Sequence, residues 1–139
     1  MITGLNYTNP DIYEVKIDMG ILKIKRIYEP AEIEDGTRIL VDGLWPRGIS
    51  KEKATLYKWV REISPSKDLR NWFKHIPERY DEFSTRYTGE LEASDVAKNF
   101  SKEVERLLDM GDVTLLYGSK DQNHNNALVL QKWLERSMD

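Results

Sequence analysis

Apolar positions in this chain follow two periods in turn, and the switches between them mark out its elements. The run Ile21-Leu22-Lys23-Ile24-Lys25-Arg26-Ile27-Tyr28 is rich in β-branched and aromatic residues. It stops at Glu29-Pro30, where proline offers no ladder N–H, so it predicts a strand. After a loop from Ala31 to Gly36, Thr37-Arg38-Ile39-Leu40-Val41-Asp42 carries a continuous apolar centre. Such a run suits a strand covered on both faces, as in a parallel sheet. It ends at the turn Trp45-Pro46-Arg47-Gly48. Leu56 to Val60 is a weaker strand-like run whose alternation is ambiguous.

The period then lengthens. Ser66 is placed to cap a helix carrying Leu69, Trp72 and Phe73, with Asp68 in its first turn and His75 closing it. Pro77 suits the first position of the next helix, where Tyr80, Phe83, Tyr87 and Leu91 recur at spacings of three and four. Val96, Phe100, Val104, Leu107 and Leu108 mark a further helix, with Gly111 as a left-handed stop. Val113-Thr114-Leu115-Leu116-Tyr117 is a short buried strand. Asn123 or Asp121 is expected to cap the last helix, in which Ala127, Leu130 and Leu134 face inward.

Strands separated by helices imply a single three-layer α/β domain over residues 21–139, a small, mostly parallel sheet flanked by helices. Residues 1–20 read as an N-terminal extension or arm. Alternatively, Tyr13 to Ile17 pairs with Leu22 to Tyr28 across Asp18-Met19-Gly20.

Composition narrows the chemistry. The 139 residues are 40% hydrophobic and 32% charged, the balance of a folded globule. With no cysteine, disulfides, thiolate metal sites and cysteine nucleophiles are excluded. No apolar run has the length of a signal peptide or a membrane span, so a cytoplasmic protein without a membrane partner is expected. The formal net charge of −3 supplies no overall basic field for a phosphate backbone. Neither a phosphate-loop nor a dinucleotide glycine fingerprint is present. No cofactor is called for.

Ligands of open parallel sheets bind beyond the carboxyl ends of the strands, which directs attention to two loops. The first, Asp42-Gly43-Leu44-Trp45-Pro46-Arg47-Gly48, offers a carboxylate, an indole and a guanidinium. The second, Gly118 to Asn126, runs into a helix whose N-terminus favours an anion, with Lys120 adding a full charge. If their strands are neighbours, Arg47 and Lys120 converge on one crevice, with His124 able to exchange a proton near neutral pH.

Plainer roles compete with these. Asp42 and Arg47 can pair with each other, Trp45, Trp59, Trp72 and Trp133 suit packing, and Ser64 and Ser66 suit capping because no nucleophile elbow surrounds them. His75 can cap its helix end or, as the second reading, reach the crevice as acid or base. No metal site is expected, since His124 has no second histidine at ligand spacing, although Asp42, Asp121 and His124 could hold an ion if the fold converged them.

The segment Arg38 to Gly48 resembles the hallmark of domain-of-unknown-function family 488, the YeaO-like proteins. Further pieces agree in order and spacing: Ser64-Pro65-Ser66, Leu69-Arg70, Trp72-Phe73, His75-Ile76-Pro77-Glu78-Arg79-Tyr80, Arg86-Tyr87, and Leu115 to Asp121 with His124-Asn125. The likeness spans about Leu22 to Leu134. It implies a compact bacterial or archaeal α/β domain without a settled substrate. Two positions depart from it: Gly43 stands where such proteins commonly carry arginine, and Ile76 where they commonly carry aspartate.

The leading reading is a site for a small anionic ligand, phosphorylated or nucleotide-like, held by Asp42, Trp45, Arg47, Lys120 and Asn125. If it is catalytic, Arg47 and Lys120 clamp the anion, His124 is the general acid or base, and Asp121 or Asp42 orients it or serves as base. One alternative is a nucleic-acid-binding or regulatory module using Arg38, Arg47, Arg70, Lys74 and Arg79 as a local basic face. Another is a structural domain that forms a homo-oligomer.

Overall fold

The computed structural model describes residues 19–138. The chain runs β1 (Leu22–Arg26), β2 (Thr37–Leu40), α1 (Lys51–Ala54), β3 (Lys58–Trp59), α2 (Lys67–Phe73), α3 (Tyr80–Glu92), α4 (Asp95–Leu108), β4 (Val113–Tyr117) and α5 (Asn126–Ser137). Short 3-10 turns occupy Ile33–Asp35, Arg61–Ile63 and Pro77–Arg79. The four strands form one parallel sheet in the order β1-β4-β2-β3. The α/β class with a parallel sheet read from the sequence is therefore the fold. The proposed pairing of Tyr13 to Ile17 lies outside the described residues.

Burial follows from strand position. Central β4 is buried at all five residues, as its unbroken apolar run requires. Period-two alternation sends Ile39, Val41, Val113, Leu115 and Tyr117 to one face, where they pack against α2 to α5 in the main core. Leu40 and Leu116 point the other way, into a smaller cluster with Ile27, Ala54, Trp45 and Trp59. That second face is covered by the single turn of α1 and its flanking loops, so the two outer layers are unequal.

The same face buries a polar network. Arg38 donates to Asp35 at 2.6 Å and to the Ala54 carbonyl at 2.9 Å, satisfying an acceptor at the C-terminus of α1. Lys25 reaches Asp35 at 3.0 Å, and the Thr114 hydroxyl donates to the Asp35 carbonyl at 2.7 Å. Burial alone would raise the Asp35 carboxyl. The Glu32 N–H, Lys25 and Arg38 more than offset it and hold the group below the usual carboxylate range.

Four local expectations are corrected. The cap of α5 is Asn125, whose side chain accepts from the Leu128 N–H at 2.9 Å; Asp121 instead caps the preceding turn, accepting from the Asn123 and His124 N–H groups. Helix α2 closes at Lys74, not His75, and both residues take positive φ, 49° and 56°. Helix α4 ends at Leu108 with Asp109 as its cap in the right-handed region, so Gly111, three residues on, is not its left-handed stop. Val96 is exposed and Ala97 takes its place in the core, while Phe100, Val104 and Leu108 are buried as their spacing predicts. Among the described residues no helix is long and apolar enough to cross a membrane.

Candidate functional site

Pairing of β2 with β4 brings the two loops together at the carboxyl edge of the sheet. Asp42, two residues beyond β2, accepts from the Gly118 N–H at 2.8 Å and from the Asn126 side-chain amide at 3.1 Å. Its backbone carbonyl accepts from the Trp59 indole at 2.7 Å, so β3 fixes the turn from the other side. Burial raises the Asp42 carboxyl above the usual range. The Gly118 and Asn126 hydrogen bonds and the charges of His75 and Arg70 offset only part of that.

A cavity of about 180 Å³ opens beside this carboxylate, lined by Asp42 to Leu44, Ser64, Pro65, Arg70, Phe73, His75, Phe83, Ser119, Asn125 and Asn126. Each wall is anchored by neighbouring elements. The buried Tyr87 hydroxyl of α3 donates to the Ile63 carbonyl, and Glu90 accepts from the Ser66 N–H at 2.8 Å and from its hydroxyl at 2.6 Å. These bonds hold the Ile63 to Ser66 wall and the start of α2. On the opposite side, Arg26 at the end of β1 donates to the Ser119 carbonyl at 2.8 Å, and Tyr80 donates to the Asn125 carbonyl at 2.9 Å.

Arg70 is the unusual member. Its Nε is buried with no hydrogen-bond partner, and the side chain joins no ion pair among the described residues. A Cβ built on Gly43 would lie 2.4 Å from Arg70 Nη1 and 2.8 Å from Ser64 Oγ. The guanidinium therefore uses the space that a side chain at position 43 would need. The resemblance leads one to expect arginine there; in this chain the room belongs to Arg70. The two successive left-handed residues at the end of α2 turn the chain back so that His75 lines the cavity that Phe73 also lines.

The residues singled out from sequence separate into two groups. Asp42 and Asn125 line the cavity, though the Asn125 side chain is committed to capping α5 and to the Asp121 carbonyl at 3.0 Å. Trp45 packs edge-on against Trp59 at 5.3 Å and donates to the Ile49 carbonyl. Arg47 and Lys120 are exposed and outside the cavity lining.

His124 and Asp121 do pair, Nδ1 to Oδ2 at 2.9 Å, with the ring edge-on to Tyr80 at 5.1 Å. Neither lines the cavity. The Asn123 N–H foremost, against a smaller opposing effect of burial, and then the His124 ring hold Asp121 below the usual carboxylate range. Among the described residues no cluster of three or more metal-ligating side chains occurs. Of the basic residues grouped for a nucleic-acid face, Arg38 is buried on Asp35, and Arg79 lies over the Trp72 ring and donates to its carbonyl.

The sequence pointed to Arg70 only as part of an alternative basic face, to Ser119 and Asn126 only as members of the second loop, and to His75 first as a cap and second as a crevice residue. The Leu69-Arg70 and His75 pieces of the resemblance were the available signal. They lie on α2 and just beyond it, away from the strand ends at which open parallel sheets usually bind ligands.

The molecule is a one-sheet parallel α/β domain with a small, largely apolar cavity at the carboxyl edge of its central strands. The chain belongs to the family described as the inactive DUF488-N3 subclade, whose profile matches residues 21–139. It is 43% identical over 116 residues to uncharacterized protein YeaO of Escherichia coli (strain K12), covering 81% of this chain and 96% of that one. Uncharacterized proteins Rv3073c of Mycobacterium tuberculosis (strain ATCC 25618 / H37Rv) and Mb3100c of Mycobacterium bovis are each 36% identical over 113 residues, 81% of this chain and 92% of theirs. No solved structure matches it significantly.

Proposed function

We propose that this protein binds a small anion in the cavity at the sheet edge, with the Arg70 guanidinium as its receptor, and that it binds without turnover. The observation that carries the reading is that the Arg70 side chain lines this cavity with no ion-pair partner among the described residues. A charged donor group held away from water without its partners costs about 1–3 kcal/mol or more, and an anion in the cavity would offset that cost. A guanidinium answers a carboxylate or phosphate with two parallel N–H···O bonds.

Electrostatics support the same guest. The single negative charge in the lining, Asp42, already accepts two hydrogen bonds, while Arg70 and the positive end of the α5 dipole at Asn125 and Asn126 favour an anion. Binding is preferred to catalysis because the lining lacks an assembled nucleophile and base. The Ser64 hydroxyl donates to the Arg61 carbonyl at 2.8 Å, and the His124–Asp121 pair stands outside the cavity. The description of the matching family as inactive agrees with that preference.

The test is the Nε–H resonance of Arg70 in ¹⁵N-labelled protein, assigned by its loss in Arg70→Met and titrated with formate, acetate and inorganic phosphate. A saturable shift of that resonance with at least one anion is expected. An Arg70 resonance indifferent to every anion would refute the reading.

A further inference from the structure

Resting on the anion reading, the cavity also limits what kind of anion it takes. We infer that the ligand is a compact monocarboxylic acid with an apolar, ring-sized body and a hydroxyl or amino donor beside its carboxylate. Three features of the lining impose this.

The first is size. A cavity of about 150 Å³ accommodates benzene, so about 180 Å³ admits one six-membered ring and a few further atoms. A nucleotide, with base, sugar and phosphate, would fit only in part and leave much of itself in solvent. The second is the wall. Phe73 and Phe83 stack with ring centroids 4.3 Å apart, and with Leu44 and Pro65 they give the ligand an apolar surface rather than the donor-lined nest that a bare phosphate requires.

The third is the polar pair. Arg70 supplies a fork for a carboxylate, while Asp42 holds a carboxylate fixed by Gly118 and Asn126 within the same cavity. Each Asp42 oxygen has one described donor and capacity for another. An unsubstituted acid leaves that capacity unused; an acid with an adjacent hydroxyl or amine fills it. Arginine for the carboxylate, aspartate for the donor and two phenylalanines for the body make three points of contact, which also distinguish mirror images.

The experiment is calorimetric titration of the full chain, and of its Arg70→Met and Asp42→Asn variants, with R-mandelate, S-mandelate, phenylacetate, inorganic phosphate and AMP. One mandelate enantiomer is expected to bind about tenfold or more tightly than phenylacetate, which shares its ring and carboxylate but lacks the hydroxyl. Arg70→Met abolishes that binding, and Asp42→Asn brings mandelate down to the level of phenylacetate. The comparison of mandelate with phenylacetate in the unmutated protein stands even if a variant fails to fold.

Equal binding of mandelate and phenylacetate overturns the donor contact and with it this inference, leaving the anion site in place. Arg70-dependent binding of phosphate or AMP, with neither carboxylate bound, does the same. No heat from any of the five probes overturns the inference and the anion reading together.

Discussion

The cavity turns on what two residues do to each other. Gly43 is required not for its backbone freedom but for the absence of a side chain, since a Cβ there would meet the Arg70 guanidinium at 2.4 Å. Gly43→Ala is accordingly expected to displace Arg70 and weaken anion binding about tenfold, roughly 1.4 kcal/mol. The circular dichroism spectrum should stay that of the unmutated protein. Titration calorimetry checks this, and unchanged affinity would show that Arg70 binds nothing from its present position. The contact was hidden in the sequence because residues 43 and 70 belong to different elements. Asp42 was legible, since a carboxylate just past an Ile-Leu-Val strand marks a sheet edge. Arg70 looked like one more surface charge.

At the scale of elements, capping chemistry read well where the side chain and the helix start agree, as at Ser66, whose hydroxyl accepts from the Leu69 N–H. It failed at α5 because Asp121, Asn123 and Asn125 are all competent caps, and tertiary contacts decide among them. Tyr80 pins the Asn125 carbonyl, which leaves Asn125 as the cap. Asn125→Ala should cost about 1 kcal/mol in urea unfolding, within a range of about 0.5–2. A loss indistinguishable from zero would mean that Asp121 or Asn123 can take over.

The reversal after α2 left no sequence signal at all. Lys74 and His75 take left-handed backbone without glycine, a conformation that is strained for residues bearing a Cβ. Lys74→Gly should therefore stabilise the protein by up to about 1 kcal/mol. Destabilisation on that substitution would show that the lysine side chain contributes something its exposed position does not suggest.

Across the whole molecule, the α/β class was readable because period-two and helical segments alternate along the chain, while the inequality of the two layers was not. Face two of the sheet looks apolar only at Ile27, Leu40 and Leu116, and elsewhere its cover depends on the Asp35 network. That network makes stability depend on acid. Asp35 is held below its unfolded value, which is about 3.9, so in that interval the folded state binds fewer protons than the unfolded one. Its contribution is complete above about pH 4 and is lost as pH falls through the folded value.

Asp35→Asn, which leaves Lys25 and Arg38 without their shared anion, should cost about 3–5 kcal/mol at pH 7. The difference from the unmutated protein should begin to shrink below about pH 4, where the unfolded carboxyl takes up its proton, and should vanish once the pH falls below the lower folded value. Thermal unfolding from pH 7 to pH 2.5 measures it, and a difference constant over that range would contradict the assignment.

The claim that Arg70 is an anion receptor is tested most directly by urea unfolding of the unmutated protein and Arg70→Met, each alone and with formate, inorganic phosphate or mandelate. At a hundredfold over its Kd, a ligand that binds only the folded state adds about 2.7 kcal/mol. That increment is expected for at least one of the three anions in the unmutated protein and for none in the variant. Equal increments in both proteins, or no increment from any anion, would contradict it.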